Sequence, residues 1–214
     1  ATRPSQLLHQ LSLRFFMPVY PASAELKTRG DAARLRSLFQ KGTKLIFVFL
    51  VPLALALFLW SEAIIHFWVG PGYELSAVML RILTVNYFIQ SFNVVPGAMM
   101  YGLDKSWIIA WESVARALLN LLFSFLLISK IGAVGSAYGL TLSTLLTTPL
   151  FFAFMAKQAG VRQGELFREV LFWPLFAGGL GFIFFRAASG LLPGLGSRYS
   201  VFILFFCIVS VTRY

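Results

Sequence analysis

The sequence predicts an all-α fold, a polytopic transmembrane bundle of about six to seven spans, and three observations carry that prediction. Four hydrophobic stretches follow one another from Leu45 to Ala156, parted only by a few polar or Gly/Pro residues. A spanning helix needs roughly 20 mostly apolar residues at about 1.5 Å each, and every one of the four is of that length. Composition agrees, with 58% of the 214 residues hydrophobic, 16% aromatic and 12% charged. A soluble domain of this size cannot hide 23 Phe side chains, so lipid must cover many of them. Finally, Lys and Arg collect in alternate loops, as they do in membrane proteins of fixed orientation.

Taken in order, Ser5 to Ala22 opens the chain as the tail of a helix whose start is missing, with Arg14 inside it. The chain begins Ala-Thr-Arg-Pro, without Met and without a signal-peptide pattern, and reads as a fragment. Gly30-Asp31 starts a short helix: Asp31 caps it, and Leu35, Leu38 and Phe39 form a face opposite Arg34, Arg36 and Lys41. Such a segment is expected to lie on the membrane surface near anionic headgroups. The spans are Leu45 to Val69, Leu75 to Tyr101, Ser106 to Ser129 and Ile131 to Ala156, followed by Leu166 to Ala188 and a short Tyr199 to Val211. Pro52, Pro96 and Pro149 sit inside three of them, where each removes a backbone hydrogen bond and can bend the helix.

Counting cations on alternate sides sets the orientation. Lys27, Arg29, Arg34, Arg36, Lys41, Lys44, Lys105, Lys157, Arg162 and Arg168 fall on one side, against Lys130 and Arg198 on the other. The ten-cation side is therefore cytoplasmic. The net charge of +10 is then a matter of topology and does not call for nucleic acid. A single cysteine, Cys207, leaves no disulfide framework and no cysteine cluster for a metal.

Polar residues inside spans are the candidates for function, since a charge at the bilayer centre costs about 2.5 to 3.5 kcal/mol even on insertion scales. Asn86, Gln90, Asn93 and Gly97 recur at steps of four, three and four, on one narrow stripe. Glu112, Arg116, Asn120 and Ser124 are each four apart on the next span, and Glu112 and Arg116 can pair. Each stripe suits either interhelical hydrogen bonding or the wall of a cavity, in which an arginine would hold a diphosphate. Arg81 is a further cavity candidate nearer its helix end, from which it could also reach the interface. Glu62 and His66 read as an interfacial pair, and Gly135 and Gly139 as a small-residue packing face. The chain has no phosphate loop, no His-Glu zinc helix and no Asp five residues after His9 or His66. Neither catalysis nor a cofactor nor a metal is predicted.

Several runs resemble a known family. Pro21-Ala22-Ser23-Ala24-Glu25-Leu26, Gly30-Asp31-Ala32-Ala33-Arg34-Leu35, Trp68-Val69-Gly70-Pro71-Gly72-Tyr73, Gly102-Leu103-Asp104-Lys105 and Lys130-Ile131-Gly132-Ala133-Val134-Gly135-Ser136-Ala137 together resemble the carboxy-terminal half of Wzx-type bacterial polysaccharide flippases. These belong to the multidrug/oligosaccharidyl-lipid/polysaccharide exporter superfamily. The resemblance implies two six-helix lobes facing a central cavity, of which residues 1–160 would be the carboxy-terminal lobe and 161–214 an extra pair of helices. It implies a protein of the bacterial inner membrane that moves undecaprenyl-diphosphate-linked oligosaccharide by alternating access. Its partners would be the lipid bilayer, the missing amino-terminal lobe, and a polysaccharide polymerase with its chain-length machinery. The alternatives are a drug or metabolite antiporter of the same superfamily, for which Glu112 is the deep carboxylate, and a membrane enzyme acting on lipid-linked sugars.

Overall fold

A computed structural model describes residue 6 and residues 17–161. The spans expected at Leu166 to Ala188 and Tyr199 to Val211, and most of the one at Ser5 to Ala22, lie outside the described residues. Among the described residues there are seven α-helices, one 3-10 turn and no strand: α1 (Val19–Thr28), α2 (Ala32–Leu59), α3 (Ser61–Val69), α4 (Glu74–Gln90), the turn Ser91–Asn93, α5 (Val94–Gly102), α6 (Ser106–Ile131) and α7 (Val134–Gln158). Glu74–Gly102, Ser106–Ile131 and Val134–Gln158 are long and apolar enough to cross a membrane. The protein is an all-α membrane bundle.

Two elements depart from the sequence reading. The short surface helix and the span after it are one helix: α2 runs 28 residues from Ala32 to Leu59, about 42 Å. Asp31 does cap it, its Oδ1 accepting from the Arg34 N–H at 3.0 Å. However, the apolar face of the first turns does not rest on lipid. Phe39 is fully buried against Phe152 of α7, ring centroids 5.5 Å apart, and Gly42 brings α2 close enough to α5 that an added Cβ would sit 3.2 Å from Val95. Tertiary packing has drawn the segment inward and made it continuous. At its far end the span expected to Val69 breaks at Trp60, and Ser61–Val69 forms the separate helix α3.

The core lies where α2, the Ser91–Asn93 turn, α5 and α7 meet. Phe92 is its hub, with Phe47 at 4.3 Å and Phe152 at 6.1 Å, and Ile46, Val95, Met99, Met100 and Met155 are buried around it. Hairpin partner to α7, α6 buries little else and exposes Trp111, Leu118, Leu121 and Phe125. Their contact is close because it is made through glycine: a Cβ on Gly135 or Gly139 would strike backbone atoms of Leu127 or Ser124. On the cation-rich side, α1 is tied to the α5–α6 turn by Lys27, which donates to Asp104 Oδ2 at 2.7 Å and to the Leu103 carbonyl at 3.1 Å.

Candidate functional site

The span Glu74–Gly102 is not one regular helix. Pro96 has no N–H to give the Phe92 carbonyl four residues before it, and the chain tightens into the 3-10 turn Ser91–Asn93. The Ser91 hydroxyl turns back to donate to the Tyr87 carbonyl at 2.7 Å. A 3-10 turn advances about 120° per residue where an α-helix advances about 100°. Over three residues this rotates everything after it by about 60° relative to the helix before. The stripe read as continuous is thereby divided.

Gln90 at the end of α4, Asn93 in the turn and Gly97 of α5 line a cavity of about 1000 Å³ together with Glu112, Ser113 and Arg116 of α6. Asn86, before the turn, is 2% exposed and lies within the lobe, its Oδ1 without a hydrogen-bond partner among the described residues. On α6 the regular helix keeps Glu112 and Arg116 on one wall, one turn apart, with Arg116 Nη1 3.5 Å from Glu112 Oε1. Both are largely covered, with side chains 7% and 23% exposed respectively. Arg116 stands ten residues from the start of α6, about 15 Å along its axis. Asn120 does not line the cavity; its Oδ1 accepts from Ser124 at 3.0 Å, next to the Gly139 contact, and it serves the α6–α7 seam.

Arg81 is also elsewhere. It is not among the residues lining the cavity and bridges α4 to α3, donating through Nε to Ser61 Oγ at 2.6 Å and through Nη2 to Glu62 Oε1 at 2.8 Å. Glu62 thus pairs with Arg81, where the sequence had pointed to His66. Sequence reasoning did not single out Tyr20, Tyr101, Asp104, Ser106 or Ser113, which also line the cavity. Asp104 carried a signal: it is a polar residue in a tight turn, and it adopts φ 57°, a conformation that Asp tolerates better than most residues. Together with Ser106 it extends the cavity to the cation-rich end of the lobe. What the site offers is one cation, Arg116, two carboxylates, Glu112 and Asp104, two amides, Gln90 and Asn93, and the hydroxyls of Ser106, Ser113, Tyr20 and Tyr101, walled by aromatic and apolar side chains. Among the described residues no group of His, Cys, Asp and Glu could hold a metal ion.

Residues 24–126 match the MatE family. That match covers just under half of the chain. The MatE segment takes in α2 to α5 and most of α6, and with them every polar residue of the cavity wall from Gln90 to Arg116. A low-salt glycan biosynthesis flippase of Haloferax volcanii is 20% identical over 144 residues, 67% of this chain and 30% of the relative. An O-antigen transporter of Shigella flexneri is 22% identical over 146 residues, 68% of this chain and 34% of the relative. The resemblance to Wzx-type flippases therefore holds, and the relatives are transporters by name, not enzymes. The chain spans about a third of the length of the curated relatives it matches. No solved structure matches it.

Proposed function

We propose that residues 1–160 are the carboxy-terminal lobe of a lipid-linked oligosaccharide flippase and 161–214 an accessory pair of helices. The whole transporter moves an undecaprenyl-diphosphate-linked glycan from the cytoplasmic to the periplasmic leaflet of the bacterial inner membrane. One observation carries this reading: a cavity of about 1000 Å³ reaches the Asp104–Ser106 turn on the cation-rich side and holds Arg116 with Glu112, Gln90 and Asn93 deep in an otherwise apolar span. That is the upper end of small-ligand pocket sizes, ample for a diphosphate with its first sugars while the lipid tail stays in the bilayer. The guanidinium is the group suited to a diphosphate, because its planar fork meets two oxygens at once. The missing amino-terminal lobe supplies the facing wall, and rocking of the two lobes exchanges the open side. A glycan polymerase and its chain-length machinery would take the product.

The test is export in a flippase-null strain, using the complete reading frame. Arg116→Ala abolishes export at normal membrane levels, and Arg116→Lys keeps part of it. The decisive variant combines Glu112→Gln with Arg116→Gln. A buried ion pair can often be replaced by neutral groups at little cost in stability, so this double variant folds, and it stays inactive because the diphosphate has lost its cation. Full export by the double variant would reduce Arg116 to the structural partner of Glu112. Retained transport of a cationic drug with no glycan export would favour the antiporter reading that Glu112 also suits.

A further inference from the structure

Within the cavity the hydrogen-bonding groups are of two kinds, and only one suits a phosphate. Arg116 is a donor. Asn93 is different: its Nδ2 and its Oδ1 are both buried, and neither has a hydrogen-bond partner among the described residues. Leaving one donor and one acceptor of the same amide unpaired at membrane depth is costly. A group that repays both must itself donate and accept. A diphosphate presents acceptors and would answer Nδ2 alone, while a simple cation would answer Oδ1 alone. A hydroxyl answers either, and a pair of neighbouring hydroxyls answers both.

Glu112 makes the same request. Its Oε1 is buried without a hydrogen bond, since the nearest guanidinium nitrogen, at 3.5 Å, is too far for a strong one. A carboxylate in that position accepts from hydroxyls. The cavity wall also carries Tyr20, Tyr101 and Phe151, faces on which the apolar side of a ring can rest. Amide, carboxylate and aromatic together are the inventory of a site for a polyhydroxylated ring. The backbone is shaped to present it: the 3-10 turn rotates Asn93 about 60° from where an unbroken helix would hold it, nearly in phase with Gln90.

We propose that the cavity is divided into two subsites, Arg116 holding the diphosphate and Asn93 with Glu112 reading hydroxyls of the first sugar. Asn93 is then a specificity residue. This inference rests on the flippase reading, and the experiment separates the two. The complete transporter is purified, and its binding of two probes is compared by native mass spectrometry. One probe is the lipid-linked oligosaccharide extracted from the producing cells; the other is the same polyprenyl diphosphate without sugar.

Wild-type protein binds the sugar-bearing probe the more tightly. Asn93→Leu lowers that preference about tenfold, as expected for loss of one or two hydrogen bonds, and leaves affinity for the bare diphosphate unchanged, which also shows that the variant is folded. Asn93→Gln, which keeps the amide, restores part of the preference, whereas Arg116→Ala weakens both probes alike. An Asn93→Leu protein with its preference intact, or with both affinities equally reduced, would overturn the assignment. Wild-type protein that binds neither probe would overturn the flippase reading, and the subsites with it.

Discussion

Gly139 and Gly97 are both glycines inside membrane helices, and the structure predicts opposite consequences for the same substitution. A Cβ added at Gly139 would lie 2.6 Å from the backbone nitrogen and 2.8 Å from the Cα of Ser124. Neither atom can swing aside as a side-chain tip can. To regain ordinary contact, α6 must retreat from α7 by roughly 0.8 Å, from 2.6 Å to the 3.4 Å at which such contact begins. Overpacking of this kind costs about 1 to 3 kcal/mol, partly offset by the better helix propensity of Ala, up to about 1 kcal/mol. Thermal unfolding of the detergent-purified protein should show Gly139→Ala melting several degrees below wild type, at about 2 to 4 °C per kcal/mol for a chain of this size. A Cβ on Gly97 meets nothing within 4 Å, so Gly97→Ala should melt at or slightly above wild type. Because α6 carries Glu112 and Arg116, the looser hairpin also displaces one wall of the cavity, and export should fall with stability. Equal melting of Gly139→Ala and wild type, or an equal drop in both variants, would refute the packing argument.

Two other outcomes follow from the same geometry. Arg81→Ala removes a bridge whose partners are 36% and 72% exposed; such a pair is worth about 0 to 1 kcal/mol, so export should stay near wild type, in contrast to Arg116→Ala, and its loss would return Arg81 to the substrate path. In intact cells of a variant lacking Cys207, a cysteine at Thr28 should be shielded from a membrane-impermeant thiol reagent and one at Gly72 should react, with the reverse pattern overturning the orientation read from the charges.

Much of the bundle was legible because apolar length and cation placement are direct consequences of the bilayer. The Ser106–Ile131 and Val134–Gln158 helices agree with the expected spans to within a few residues, since Lys105 and the Gly132-Ala133 turn mark their limits. Glu112 and Arg116 were legible for a related reason: a regular helix keeps residues four apart on one wall, and no residue between them disturbs it. The opposite wall was not. Asn86 and Asn93 look equivalent on a helical wheel, and only the 3-10 turn, set by Pro96 acting four residues upstream, sends one into the lobe and the other into the cavity. Likewise Arg81 and Arg116 are both intramembrane arginines in sequence; their separate roles depend on Glu62 and Ser61, which reach Arg81 from another helix. The unity of α2 escaped a local reading because its amphipathic start looks like a surface helix until Phe152 and Val95 are placed beside it.

The central claim is that the lipid-linked glycan enters the cavity between the Gln90–Gly97 segment and α6, and site-specific photo-crosslinking tests it most directly. A benzophenone amino acid is placed at Ser113, which lines the cavity, and, as a comparison, at Leu150, 74% exposed on α7 and outside it. After irradiation of living cells that make the glycan, the Ser113 protein should carry undecaprenyl-linked sugar detectable by mass spectrometry, and the Leu150 protein only bulk phospholipid. Glycan adducts absent from Ser113, or equally abundant at Leu150, would contradict the account.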